Sequence, residues 1–369
     1  MIQHGLLCYL FHHKVWMVCS LFLLTVFLTS CRKSGPTEPP PGPDTTSHAF
    51  IWRVDTIGAE GSYLYDVMIF NETCAYAVGT IFPRDSNGQS NQSDLYNAAR
   101  WDGTMWTIIK VPYLFQGKAT YGPIHTVFGF GPNDIWFGGG ALEYWDGKKF
   151  SNDDAINSSW PAQWINKIWG SSDNDLYVVG DGGAAAHFDG SWHSIATGTT
   201  LPFQDIWGSR TTNGQQQVIA VASDKFGLGG KYICSLNGNT TTRISDSTNI
   251  GNRLSGIWFI PNQLYVLVGD EVYEKHLVTD PVWQDQPVSY QINEFKYAAR
   301  ANGANDLVVI CENGTIAHYN GSTWRIYTEL ENSLDRLLNV SIKGNEIIAV
   351  GERYYDGVHN YGVIYHGTR

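Results

Sequence analysis

The sequence predicts an all-β, seven-bladed β-propeller of four-stranded blades, with the last blade closed by a strand from the N-terminal end of the domain. Three observations predict it. One three-part unit recurs seven times, its spacing suits one blade per copy, and the final copy lacks a strand that turns up at the other end of the domain.

Two segments precede the repeats. Residues 1–30 read as a secretory signal: Lys14 gives a basic start, an apolar run covers 15–28, and Leu28-Thr29-Ser30-Cys31 ends it. That run is shorter than the roughly 20 residues a membrane span needs. The four closing residues resemble the lipobox of bacterial lipoproteins, and the resemblance implies lipidation at Cys31. Arg32 is not the acidic residue associated with retention at the inner membrane, which points to the bacterial outer membrane, with the lipid as the only membrane attachment. Residues 31–48, with prolines at 36, 39, 40, 41 and 43, read as an extended tether.

The propeller is assigned to residues 49–369. Each unit opens on an apolar pair and a small-residue turn, continues through an Asn-Asp turn into Leu-Tyr-Val-Val-Gly, and ends in a short strand closing on His-Phe-Asp-Gly-x-Trp. The fullest copies lie at 126–150, 168–192 and 298–324, with weaker ones at 66–106, 205–238, 256–275 and 339–369. Val67, Val127, Ile168, Ile206, Ile257, Ala299 and Val340 anchor the seven innermost strands. They recur about every 40 residues apart from two longer gaps, the period of a four-stranded blade. Aromatic and β-branched richness supports strands, and Asp-Gly, Asn-Gly and Gly-Gly pairs mark the turns. At the seam, "VIYHGTR" stops short of the strand that follows elsewhere, and "FIWRVDTIG" (50–58) reads like "TWRIYTEL" (323–330), so it is expected to complete the last blade.

Composition narrows the functional classes. Net charge is −11, no basic stripe is present, and nucleic acid is excluded as a partner. Cys74, Cys234 and Cys311 lie far apart in strand-like stretches and read as buried thiols. Repetition also disarms several motifs. Asp173-Asn174-Asp175 resembles the metal triplet of nucleotide-sugar glycosyltransferases, but Pro132-Asn133-Asp134 and Ala304-Asn305-Asp306 occupy equivalent places, so Asn-Asp is turn chemistry. His187, His318 and His366 recur at one blade position and are spread around a ring, so they are expected to bond within their own blades. Gly180-Asp181-Gly182-Gly183 opens no helix and cannot be a phosphate loop. The Asp-Gly-x-x-Trp pattern of 102–106 is close to the Asp-box of sialidases, although here Asp and Gly are adjacent. No cofactor and no metal is implied.

The string Ile-Trp-Gly-Ser-Ser-x-Asn-Asp-Leu-Tyr-Val-Val-Gly followed by His-x-Asp-Gly-x-x-Trp resembles the repeats of secreted bacterial propeller lipoproteins, some of them labelled glucosyl transferase. The resemblance covers most of 50–369. It implies a fold and says little of activity, since the shared residues build blades.

Function is therefore sought where the units differ. Residues just before the anchors are expected to form the channel mouth: Asp66, His125, Lys167, Asp205, Ser255, Tyr297 and Asn339. The same face should carry the insertions 83–95, 224–231 and 353–361. Tyr121, Trp160, Trp164, Lys167, Arg84, Tyr354, Tyr355 and His359 are the expected ligand-binding set, because flat rings among polar groups suit sugars or protein hot spots. The favoured function is a tethered, monomeric, non-catalytic binding or scaffold propeller for a glycan or an envelope protein. The alternative is a carbohydrate-active enzyme, a hydrolase, lyase or glucosyl transferase, with Asp66 and Asp205 as acid and base and His125 assisting.

Overall fold

Seven four-stranded antiparallel sheets form the blades of one ring in the computed structural model, which describes residues 44–115, 118–153, 155–156, 160–162, 164–224, 226–244, 249–355 and 360–369. The signal, Cys31 and His359 lie outside the described residues. Blades 1 to 6 are continuous in sequence, their innermost strands being Tyr63–Asn71, Ile124–Gly131, Ile165–Ser172, Phe203–Arg210, Leu254–Ile260 and Lys296–Gly303. Blade 7 is composite. Its three inner strands are Asp335–Lys343, Glu346–Tyr354 and Asn360–Thr368, and its outermost is Ile51–Ile57. Ile51 pairs with Thr368 and Ile57 with Gly362, so the predicted closure is present. A hairpin of Tyr113–Phe115 and Lys118–Thr120 joins blades 1 and 2 and was not foreseen in the sequence.

The core follows from this topology. A blade buries both faces of its middle strands, and the second strands Cys74–Ile81 and Leu264–Gly269 are buried at every residue. Apolar side chains gather into seven clusters, each drawn from two neighbouring blades. Val67, Ile348 and Ile364, for example, join blades 1 and 7. Cys74, Cys234 and Cys311 are free and buried, and burial pushes the Cys234 thiol up to about 12.

Repeated polar residues hold turns and strands together. Asp102 Oδ1 accepts the backbone N–H groups of Thr104 and Met105, Asp146 accepts those of Lys148 and Lys149, and Asn320 accepts those of Ser322 and Thr323. The following glycines, 103, 147 and 321, sit at φ of 97°, 86° and 95°, where a side chain is strained. The Asp-Gly pattern is thus a turn device. In the Asn-Asp turns, Asp175 binds His187 and Asp306 binds His318, each at 2.8 Å across adjacent strands of one blade. The looser third pair is His366 with Glu346 at 3.7 Å.

Contacts with blade 6 begin before residue 49. Thr46 donates its backbone N–H to Asn320 and its hydroxyl to Asn305 of blade 6, and Tyr327 donates its hydroxyl to the His48 carbonyl. His48 Nδ1 lies 2.7 Å from His318 Nδ1. Because the other His318 nitrogen faces Asp306, His318 Nδ1 accepts and His48 Nδ1 donates. The C-terminal Arg369 closes the chain's far end on the same carboxylate, donating to both oxygens of Asp306. Residues 44–48 therefore belong to the fold.

Deleting residues 44–57 should leave blade 7 three-stranded with the Asn360–Thr368 edge bare, and remove several of the roughly 5–15 kcal/mol that keep a domain folded. Thermal unfolding with light scattering checks this; an unchanged melting temperature without aggregation would contradict the closure.

Candidate functional site

One irregularity recurs in all seven innermost strands. Each carries a β-bulge two residues before its anchor, so that Tyr65, His125, Asn166, Gln204, Ser255, Tyr297 and Leu338 are skipped by the register of the neighbouring strand. A bulge re-aims a side chain. Here all seven bulged residues line one open cavity of about 790 Å³ at the upper end of the channel. The residue opposite the position before the bulge is glycine in five blades: Gly79, Gly139, Gly180, Gly269 and Gly351. A Cβ on Gly79 would lie 2.1 Å from the Tyr63 carbonyl oxygen, and one on Gly351 1.9 Å from that of Arg336. The last glycine of Leu-Tyr-Val-Val-Gly is thereby explained: in these five blades the strands approach too closely there for a side chain, whereas blades 4 and 6 accommodate Ala222 and Cys311.

The expected mouth set turns out to mix two registers. His125, Ser255 and Tyr297 are bulged residues facing the upper cavity, whereas Asp66, Lys167, Asp205 and Asn339 occupy the next position, immediately before the anchors. Asp66 lines a smaller lower cavity of about 190 Å³, and Lys167, Arg300 and Asn339 line both.

Asp66 and Asp205 share one arrangement. Asp66 Oδ2 accepts the N–H of Val127, the anchor of the next blade, at 3.1 Å, and Asp205 Oδ2 accepts that of Ile257, again the next anchor, at 3.0 Å. Cations complete each site. Lys167 Nζ of blade 3 lies 2.9 Å from Asp66 Oδ1, which also accepts Asn339 Nδ2 of blade 7 at 2.7 Å. Arg300 of blade 6 donates to both oxygens of Asp205 at 2.8 and 2.7 Å. Asp66 thus joins blades 7, 1, 2 and 3, and Asp205 joins blades 4, 5 and 6. Both carboxylates are buried and committed to these ties, which is a different role from the acid and base considered in the sequence.

His125 is clamped between rings, stacked on Trp164 at 4.4 Å and tilted against Tyr65 at 4.4 Å. Burial pushes its pKa down to about 4 against the pull of Asp181 and the Asn166 side chain, so the ring is neutral at pH 7. Among the described residues, no group of three His, Cys, Asp or Glu side chains converges to hold a metal ion.

The expected ligand-binding set divides. Lys167 lines the cavity. Trp164 backs His125, and Trp160 folds inward onto the blade 3 core, where a Cβ on Gly180 would meet its ring at 2.7 Å. Neither tryptophan is a free-standing anchor, because burying the ring gains more than leaving it in water. Tyr121 lies away from the cavity, where Lys110 sits between it and Tyr96, 5.1 and 4.8 Å from the ring centres. The first and last insertions are neighbours: Arg84 lies over Tyr361 at 5.8 Å, and Tyr355 is exposed beside the same ring. Tyr354 receives a hydrogen bond from Arg336 at 3.1 Å.

The sequence analysis placed the insertion 224–231 on this face but named none of its residues as ligand contacts. Asp224 folds its carboxylate back onto the N–H groups of Phe226, Leu228 and Gly229, which thrusts Phe226 and Leu228 outward, 75% and 91% exposed. Phe226 forms part of the cavity rim. An Asp followed by alternating apolar residues and glycines was the available signal.

No family model matches this chain, and no curated protein matches it in sequence. Solved structures match in fold. One described as YCF48 bound to D1 peptide is 12% identical with a TM-score of 0.61, covering 89% of this chain and 99% of its own. YCF48 from Cyanidioschyzon merolae is 14% identical with a TM-score of 0.58, covering 85% and 98%. The WD40 β-propeller domain of Doa1 is 11% identical with a TM-score of 0.53, covering 85% and 96%.

Replacing Asp205 by Asn should strand the buried Arg300 charge and destabilise the fold by about 3–5 kcal/mol. Urea denaturation measures this, and stability within about 0.5 kcal/mol of the parent would show that the carboxylate is no tie.

Proposed function

We propose that the chain is a bacterial envelope lipoprotein, lipidated at Cys31 and held at the outer membrane, whose propeller binds a partner at the upper mouth without catalysing a reaction. The observation that carries the binding role is the ring of seven bulges. Blade residues repeat, yet the bulges present Tyr, His, Asn, Gln, Ser, Tyr and Leu in turn, one per blade, to a common cavity. A non-repeating surface on a repeating frame is where a propeller acquires specificity.

A protein segment is the favoured partner, because Phe226 at the rim and Leu228 on the same loop offer exposed apolar surface of the kind that anchors interfaces. The YCF48 structure bound to a D1 peptide is a propeller of similar fold with a peptide ligand. A glycan is the second reading, supported by Tyr63, Tyr65 and Tyr297 on the cavity wall. The resemblance to propeller lipoproteins supports the anchoring. Asp44 lies beside Asn305 and Gly321, on the turns of blade 6 at the end opposite the mouth.

Cys31→Ser should abolish incorporation of labelled fatty acid and release the protein from the membrane fraction; unchanged labelling would count against the anchor. For binding, arrays of envelope-protein peptides and glycans are probed with the full chain and with Phe226→Ser, Leu228→Ser and Tyr297→Ala. At least tenfold weaker binding at near-normal melting temperature is expected for the two exposed positions. A partner whose affinity survives all three changes would move the site off the mouth.

A further inference from the structure

The charges at the mouth are almost all spent within the protein. Four cations line it, and each has an acidic partner: Lys167 pairs with Asp66, Arg253 with Asp270, Arg300 with Asp205 and Arg336 with Glu352. Asp224 is satisfied by the N–H groups of its own loop. Two carboxylates remain. Asp181 accepts the Asn166 amide at 3.0 Å, and Glu312 accepts the Tyr297 hydroxyl at 3.1 Å. Both of those partners are neutral, and among the described residues neither carboxylate forms an ion pair.

These two acids stand in separate corners of the cavity, Asp181 on blade 3 and Glu312 on blade 6, and each corner has aromatic walls. Near Asp181 are His125, whose pKa that carboxylate influences, and Tyr65 packed on His125. Beside Glu312 is Tyr297, with Phe295 at 5.0 Å. An acid flanked by π faces in a partly desolvated recess favours a cation on both counts. An anionic ligand would find every fixed cation already paired.

We propose that the mouth selects a basic protein segment, placing one Lys or Arg side chain against Asp181 and a second against Glu312, with an apolar residue of the segment resting on Phe226 and Leu228. This rests on the mouth being the binding site and adds the chemistry of its partner. The neutral His125 belongs to this design, since a charged imidazole would compete with the incoming cation.

The test uses fluorescein-labelled peptides (Gly-Lys-Phe)3, (Gly-Gln-Phe)3 and (Gly-Glu-Phe)3 with the full chain in non-ionic detergent, read by anisotropy. The Lys peptide should bind at least tenfold more tightly than the Gln peptide, and the Glu peptide least. Asp181→Asn and Glu312→Gln should each cost the Lys peptide about tenfold, the worth of a charge-assisted hydrogen bond. Asp189→Asn and Glu329→Gln, at exposed positions outside the cavity, control for the protein's overall acidity and should change little. Equal losses in the control variants would overturn the inference. Binding of the Gln peptide as tight as that of the Lys peptide, lost in Phe226→Ser, would overturn the basic preference while leaving the mouth as the site. Failure of all three peptides to bind would overturn the inference, while a partner found on the arrays and lost in Phe226→Ser would keep the mouth.

Discussion

A closed ring of blades depends on what happens near its axis, and here two buried carboxylates hold it. Asp66 and Asp205 each take the N–H of the next blade's anchor residue, and between them their other partners reach every remaining blade. Buried ion pairs add little net stability over apolar packing, because desolvation offsets their attraction, but they penalise any arrangement that separates them. Apolar clusters between neighbouring blades supply most of the cohesion. The axial carboxylates supply the register, since a blade rotated or shifted along the channel would strand an N–H or a guanidinium without water.

Directly above this fixed ring lies one free to vary. In four blades the bulge separates two consecutive residues into different tasks: the bulged side chain faces the cavity, and its successor, Asp66, Lys167, Asp205 or Asn339, takes part in the axial ties. Tyr65 and Asp66 make the contrast, as do Gln204 and Asp205. Substitution in the upper ring alters what the mouth presents while the seam beneath stays closed. In five blades a glycine opposite the residue before the bulge lets the two strands approach closely at that point.

Features that repeat were legible in the sequence, because repetition identifies a structural unit without any knowledge of contacts. Asp102-Gly103, the His187 and His318 positions, the anchors and the closing strand at residue 51 all belong to this class. What could not be read depends on pairing between strands. Whether His125 or Thr126 turns inward is decided by a bulge, and a bulge is defined only against the neighbouring strand. The partnership of Asp205 with Arg300 joins residues 95 positions apart on non-adjacent blades, and no local pattern announces it. Trp160 and Trp164 looked like exposed anchors because a loop aromatic has the same letter whether it stands in water or folds onto a blade. Phe226 and Leu228 are the reverse case: their exposure is imposed by Asp224 capping its own loop.

The docking of residues 44–48 on blade 6 bears on how the molecule carries mechanical load. A pull on the chain ahead of Asp44 first meets Thr46 and His48, held by Asn305, Asn320, His318 and Tyr327. The ladder between Ile51–Ile57 and Asn360–Thr368 lies behind that attachment and is not peeled from its end until those bonds yield. The docked segment shields the seam: the end of Ile51–Ile57 is not free to peel from blade 7 while Thr46 and His48 stay on blade 6.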